Sequence, residues 1–502
     1  LYKVGEDVRG QRKKPRRNFR ANQAKREEFA NIVADPKAGL KPTTTGATEK
    51  SNVATYLQRP YDNAPQIAAT IRDSVNKYGV LAKVIDYYQS LPTYNFAIKP
   101  ILGNKVYDID TVNMRNDYID IAYALEQYNI KYYAPIFFRD TLIEGVTFYY
   151  KIEDSDGISF MKFPIEWCKI RGIENGVYRF MIDVTKFKQD FLTTLPEELQ
   201  TAYEQYQNGN ATDENSWYNN RYYFVSEKGV AFTFDSSALD YGGLAVSPFA
   251  GVLLDIMSVA QAKNNVDIKD GIDTTRILHS KIPVDNDGRI LMTAKEAKVY
   301  DSAIRSRLPK GVVNVTTPTK LENVPLTNSG NTNALDTVKK STEQLFFDVG
   351  TPAPLFGGDT TSANIVKTSI QKDANWVYTN LFPLLENYYN SEIAQVKTKG
   401  KVKWAIKFVR QTTFTLKDDV ALQKDQLSYG GSRLNYLAAN GFSPSEIVSQ
   451  LSFEQQALGI DDLMIVKPTS NTISANEVSE QGRGRPETDN PTDDTDRLDG
   501  EK

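Results

Sequence analysis

Two residues dominate the search for chemistry, because each occurs once in 502 residues: His279 and Cys168. Ser-His-Asp and Cys-His systems, H-E-x-x-H zinc sites and multi-histidine metal sites would all have to share one imidazole, which excludes most of them. His279 sits in a strand-like run, Arg276–Ile282, with no carboxylate near it in sequence, and reads as a structural or surface histidine. Cys168 has no partner for an intramolecular disulfide and no C-x-x-C motif is present. That usage fits a reducing compartment, or a particle assembled in one.

The remaining candidates are weaker. Asp285, Asp287 and Glu296 occupy positions one, three and twelve of a calcium loop, but the sixth position is Ile290 where the turn needs glycine. A hairpin turn is the better reading, as it is for Asp154-Ser155-Asp156-Gly157. No G-x-x-x-x-G-K-[ST] motif exists. Gly357-Gly358-Asp359-Thr360-Thr361 before a helix is either an anion cradle without the P-loop lysine or a plain loop-to-helix transition. The aromatic runs Tyr149-Tyr150, Tyr222-Tyr223-Phe224 and Tyr388-Tyr389 either stack bases or fill cores and interfaces. No catalytic site, metal site or cofactor site assembles from these residues, and the chain is not expected to be an enzyme.

Composition is that of a globular protein, with 40% apolar, 25% charged and 11% aromatic residues. The formal charge of −3 gives no overall basic footprint, yet it is unevenly spread. Nine basic and no acidic residues lie between Arg9 and Arg26, among them Arg12, Lys13, Lys14, Arg16, Arg17 and Arg20. Glu487–Lys502 carries a net −5, which leaves −7 for the body. The arm and the tail are expected to be disordered, the arm able to grip phosphates or an acidic partner. No apolar run approaches the ~18 residues that span a bilayer. The chain opens on Leu1, which suggests a segment upstream, and the start lacks the apolar core of a secretory signal.

The elements that must position these residues follow from periodicity. A helical stripe runs from Asn63 to Pro92 through Ile67, Ile71, Val75, Leu81, Ile85 and Tyr88. Helices at about 111–128 and 131–144 follow, the latter stopped by Gly145. The period then changes to two: Val146–Ile152 with Ile158–Phe163, Lys169–Ile173 with Val177–Val184 around Asn175-Gly176, and Tyr222–Ser226 with Val230–Phe234 around Lys228-Gly229 read as hairpins. A helix over 184–205 and a polar loop over 208–220 separate the last two pairs. Residues 64–244 thus form an α+β domain.

Ser247-Pro248 starts a helix reaching about Lys269. A small insert then places a strand at 276–284, a helix at 293–307 and a strand at 311–317. A helix begins near Thr332, and a Pro/Gly segment, Gly350–Gly358, leads to the amphipathic stretch Ser362–Gln395. Pro383 predicts a kink or break near 379–382. A strand at 402–410 returns to the sheet, and helices broken at Gly430-Gly431 and Gly441 complete the chain to about Gly459.

This order, together with Val349-Gly350-Thr351-Pro352-Ala353-Pro354-Leu355-Phe356-Gly357-Gly358, Ser362-Ala363-Asn364 and Leu381-Phe382-Pro383-Leu384-Leu385-Glu386, resembles the portal, or head-to-tail connector, proteins of tailed bacteriophages. The Gly482-Arg483-Gly484-Arg485-Pro486 run before the tail is similar too, whereas the basic arm and the acidity of the tail depart from the family pattern. The resemblance implies a basic arm (1–63), an α+β wing (64–246), a stem helix (247–270), a clip (271–331), a second stem helix (332–349) and a tunnel loop (350–362). A long kinked helix with a wing strand (363–412), a helical crown (413–466) and the acidic tail (467–502) follow.

Its functional implication is a ring of twelve subunits at one capsid vertex of the virion, assembled in the host cytoplasm and attached to no membrane. Double-stranded DNA passes through without sequence specificity during packaging and ejection, and the ring engages the terminase large subunit, a head-tail adaptor, and the major capsid and scaffold proteins. On this reading Asp359, Thr360, Thr361, Ser362 and Asn364 face DNA, with Lys367 adding a positive ring. Lys281, Arg289, Lys295, Lys298, Arg305, Arg307 and Lys310 dock partners, or else form a solvated face. Another oligomeric virion component, or a DNA-processing enzyme with the arm as clamp, is the alternative.

Overall fold

A computed structural model describes residues 50–103, 110–155, 157–259, 276–281, 283, 294–307, 312–317, 332–350, 353–356, 363–400 and 402–459. The chain has an α+β fold. It begins with α1 (Lys50–Gln58), which the weak periodicity of the first 63 residues does not suggest. The stripe expected as one helix is two, α2 (Ala64–Lys77) and α3 (Gly79–Ser90), separated by Tyr78 at φ −115° and ψ 101°. The cause is packing. A straight helix over both spans would be roughly 40 Å long, whereas α5 (Ile130–Glu144), on which both halves pack, is only about 22 Å. The break lets Ile67 and Ile71 on one side, and Leu81 and Ile85 on the other, enter the same core.

Strand β1 (Phe96–Ile101) and α4 (Thr111–Glu126) precede α5. Asp110 caps α4 by accepting from Asn113 N at 3.0 Å. Gly145 ends α5 at φ 81°, where a Cβ would stand 2.4 Å from the Val246 carbonyl carbon, so only glycine fits.

The main sheet contains β2 (Val146–Asp154), β3 (Gly157–Phe163), β4 (Cys168–Glu174), β5 (Val177–Asp183), β6 (Trp217–Tyr218), β7 (Tyr222–Phe224) and β8 (Gly229–Thr233). The order is β3-β2-β8-β5-β7-β6, with β4 also paired to β5, all antiparallel. The β4–β5 hairpin has the turn its sequence demands, with Asn175 and Gly176 both at positive φ (53° and 80°).

Three expectations fail in this region. The helix placed over 184–205 is a pair of 3₁₀ turns, Val184–Lys186 and Gln189–Thr194, and an α-helix only from Glu197 to Gln207 (α6), because Pro196 cannot lie inside a helix. The loop over 208–220 contains β6. Nor do β7 and β8 form a hairpin: both run along β5 in one direction, Phe224 opposite Met181 and Ala231 opposite Tyr178, with 225–228 looped out between them. Arg179 holds that loop, donating from Nη1 to the carbonyls of Glu227 and Gly229 at 2.7 and 2.8 Å. From α6, Glu198 accepts from Ser226 N and Oγ at 2.8 and 2.7 Å. The Lys228-Gly229 signal is genuine turn chemistry, but tertiary partners decide what the turn connects.

Beyond the sheet, residues 247–252 form turns and 253–259 are helical. Strand β9 (Arg276–Lys281), helix α7 (Ala294–Arg305) and strand β10 (Val312–Thr317) make a β-α-β unit with parallel strands, His279 opposite Val315. Helix α8 (Thr332–Val349), a 3₁₀ turn (Ala353–Phe356) and α9 (Ala363–Ile393) follow. Pro383 does not break α9. Leu381, Phe382 and Leu385 are buried around it, and Asn380 Nδ2 donates to the Trp376 carbonyl at 2.8 Å within that turn. Strand β11 (Lys403–Phe408) pairs antiparallel with β1 in a separate two-stranded sheet, not with the main sheet. Helices α10 (Leu416–Ser428), α11 (Arg433–Ala439) and α12 (Pro444–Ser452) complete this part, α12 running into a π-helical turn, Phe453–Leu458. The chain divides into two units after Ser445.

The sheet separates two cores. Tyr149, Val230 and Phe232 face the larger one with α2, α3, α5 and α9, while Phe148, Phe180 and Ile182 face the smaller. Across the larger core Lys151 of β2 is ion-paired with Glu392 of α9, the Tyr128 hydroxyl donates to the same carboxylate oxygen at 2.6 Å, and Glu153 supplies Lys151 with a second partner at 2.8 Å. Removing one member of a buried pair strands the other, at a cost of about 3–5 kcal/mol. Lys151→Met, which leaves the buried Glu392 with the Tyr128 hydroxyl alone, should therefore lower the stability read from urea unfolding by that amount. Lys151→Met with Glu392→Leu should restore it to within about 1 kcal/mol of the parent chain.

Candidate functional site

The segments leading into and out of the β-α-β unit meet α9 at one place, the root of that excursion. Ser247 fixes the exit: its Oγ donates to the Leu142 carbonyl at 2.5 Å and accepts from Phe249 N at 3.1 Å. The N-cap chemistry expected of Ser247-Pro248 is present, although the regular helix starts later, at 253. On the return side Gly350 closes α8 at φ 75°, with its N–H donating to the Phe346 carbonyl at 3.0 Å. Between these ends and α9 lies a cavity of about 230 Å³, lined mainly by Tyr88, Leu142, Phe249, Val252, Val349 and Trp376. Tyr88 packs edge-on against both Phe249 and Trp376, at 6.2 and 6.0 Å between ring centres.

One carboxylate enters this apolar joint. Asp373, buried on α9, accepts from the Tyr87 hydroxyl at 2.9 Å, and the Tyr88 phenol also faces it. Burial pushes its carboxyl up to about 6, against the opposing pull of the Tyr87 hydrogen bond, the Lys372 charge and Tyr88. The joint therefore combines unfilled space, a left-handed glycine and a buried acid held by phenols, where close packing is the norm. The sequence carries a signal for it: Asp373 interrupts the buried stripe Ile370, Ala374, Val377 of α9.

A larger open groove of about 670 Å³ lies beside β2, lined by Tyr150, Lys151, Glu198 and Lys228 among others. Several of its polar groups serve the fold: Tyr150 donates to Glu198 at 2.7 Å, and Lys151 belongs to the buried pair. It is the weaker candidate. Among the described residues no group of three or more His, Cys, Asp and Glu side chains can hold a metal ion. Cys168 is buried, and burial raises its thiol well above the ordinary range, away from reactivity. No helix among the described residues is long and apolar enough to cross a membrane.

The residues singled out in the sequence do not gather at the root. Asn364 and Lys367 lie exposed on the first turns of α9, and Lys367 Nζ pairs with Asp418 of α10 at 3.0 Å. Asp359, Thr360, Thr361 and Ser362 lie outside the described residues. Lys281 ends β9 and is exposed, Lys295, Lys298 and Arg305 are carried on α7, and exposed Arg307 follows it. Arg289 and Lys310, the calcium-like loop from Asp285, and the basic arm with Arg12, Lys13, Lys14, Arg16, Arg17 and Arg20 lie outside the described residues, as does the acidic tail. Of the aromatic runs, Tyr149, Tyr150, Tyr388 and Tyr389 are buried core, whereas Tyr222 and Phe224 are half-exposed.

No family model matches the chain, and no curated protein matches it. Among solved structures, it is similar to a chain of the virion of the native gene transfer agent particle, at 11% identity and a TM-score of 0.35, over 82% of this chain and 96% of that one.

The joint makes a pH-dependent prediction. Because the folded state holds the Asp373 proton more tightly than an ordinary carboxyl does, this group adds stability below about pH 4, and that contribution is lost as the pH rises through about 6. Asp373→Asn should gain on the parent chain between pH 4.5 and 7.5 when their thermal midpoints are compared. An equal loss at both pH values would mean that the proton does not matter.

Proposed function

We propose that the chain is a portal subunit: a structural protein forming a ring of twelve at one capsid vertex, through which double-stranded DNA enters and leaves. The observation that carries this reading is the order of elements. The chain leaves the α+β body at Ser247 and turns helical at 253, a compact β-α-β unit follows, and α8 returns beside the point of departure. A short Pro/Gly loop then leads into the 31-residue α9 with Pro383 inside it. In the proposed ring the outgoing helix and α8 are the stem, the β-α-β unit is the clip that meets the terminase and later an adaptor, and residues 350–362 are the tunnel loop.

Charge suits this role. A channel that neutralises phosphates with free lysines gains counterion-release affinity at every contact and brakes the DNA. Lys367 at the start of α9 is matched by Asp418, and the loop before it offers Asp359, Thr360, Thr361 and Ser362, short side chains with no basic group. The mildly acidic body favours passage over grip.

Negative-stain electron microscopy with light scattering tests the reading on the purified chain. A closed ring with a central channel and a mass of about 680 kDa, twelve copies of 56.5 kDa, is expected. A monomer that cleaves DNA with Mg²⁺ would overturn the proposal, as would a ring without a channel.

A further inference from the structure

Where β4, β5, β6 and β7 run past the edge of α9, one face of the main sheet is partly exposed. Toward the smaller core, β4, β5, β6 and β7 send Ile170, Phe180, Ile182, Trp217 and Tyr223. On the opposite face Lys169, Met181 and Phe224 stand in one row across the strands, and Asp183, Tyr222 and Tyr218 in the next. Tyr218 is 50% exposed, and Lys169, Arg171, Tyr222 and Phe224 are each half-exposed. Cations lie over the rings: Lys169 Nζ is 5.4 Å from the Tyr222 ring centre, the Arg221 guanidinium carbon 5.3 Å from the same centre, and the Arg171 guanidinium carbon 5.1 Å from that of Phe224.

The charge on this face is not balanced. Three cations that reach solvent, Lys169, Arg171 and Arg221, share two carboxylates: Glu174 beside Arg171, and Asp183 bound to Arg221. Residues two apart on a strand stand about 7 Å from each other on one face. Tyr222 and Phe224 repeat along β7 at that interval, and on β4 Arg171, the extra residue of a bulge between Ile170 and Gly172, follows Lys169 and reaches the Phe224 ring. A flat surface with cations in one file and rings in the next suits a ligand that alternates phosphates with planar bases. An unstacked single strand has that form. A duplex hides its base faces inside the stack, and an acidic peptide has no use for the rings.

We propose that this sheet face binds single-stranded nucleic acid, with phosphates on Lys169 and Arg171 and bases on Tyr218 and Tyr222. The interaction is separate from passage of duplex through a channel and does not depend on the portal reading. A guanidinium spread over a ring keeps its outer plane for a base, so the cation-capped rings remain stacking platforms. Sequence preference is weak, because no element enters a groove.

The test uses the full chain and a fluorescent oligothymidylate of about 16 nucleotides, the upper end of the site sizes of such surfaces. Anisotropy should show Lys169→Ala with Arg171→Ala weakening binding about tenfold or more, and the log–log salt slope should become shallower by about 1.4 for two phosphates lost. Tyr218→Ala, at an exposed position with little bearing on folding, should weaken binding about fivefold or more. Ultraviolet cross-links should map to peptides spanning 217–224. Binding unchanged by all three substitutions, cross-links confined to residues 9–26, equal affinity for a duplex of the same length, or tighter binding of a polyglutamate peptide would each overturn the proposal. So would the absence of binding at 50 mM salt.

Discussion

A buried carboxylate on a helix must meet its cation at a fixed place, and Glu392 meets Lys151. Hydrophobic contact alone would let α9 slide or rotate on its neighbours, since apolar burial has little directionality. The ion pair and the Tyr128 hydroxyl on the same carboxylate pin one end of the helix to β2. Once that end is fixed, the 31-residue length of α9 carries the constraint to its other end, where the excursion begins and closes. Asn390 does similar work nearby, its side-chain oxygen accepting from Ile406 N at 2.8 Å and so tying β11 to the same turn of α9. The second sheet, the main sheet and the root are thus all referred to one helix.

The two buried acids of α9 differ in the kind of partner they have. Glu392 has a lysine and a phenol. Asp373 has the Tyr87 and Tyr88 phenols and, among the described residues, no ion pair, which is why burial dominates its proton affinity. The fixed end of the helix is ionic and close-packed. The other end is phenolic and beside a cavity.

Much of this architecture is legible in the residues. Asn175-Gly176 specifies its hairpin, because a tight turn with two positive φ angles tolerates few other pairs. The bounds of α8 and α9 follow from their stripes, and Gly145 from the need to end α5. What fails are decisions made at a distance. Nothing local in Tyr78-Gly79 says that both halves of the stripe must lie on α5. Strand β1 contains Pro100 and exposes its last three residues, so neither period nor propensity marks it, and its partner β11 lies some 300 residues away. The expected phosphate-like loop and docking lysines rest on residue type alone, whereas the root cavity exists only when five segments converge. Its one sequence trace is an acid in an apolar stripe.

The segment looped out between β7 and β8 has a bearing on how this sheet tolerates change in length. Relative to β5 the loop adds four residues, Phe224 facing Met181 before it and Ala231 facing Tyr178 after it. Four is even, so the alternation of sides survives the interruption: Tyr222 and Phe224 share a side with Val230 and Phe232, while Ala231 stays with the smaller core. Parity, more than length, is what such an insertion must conserve. Two residues more or fewer at 225–228 would leave every downstream side chain on its own side, whereas a single added residue would invert β8 and turn the larger core outward.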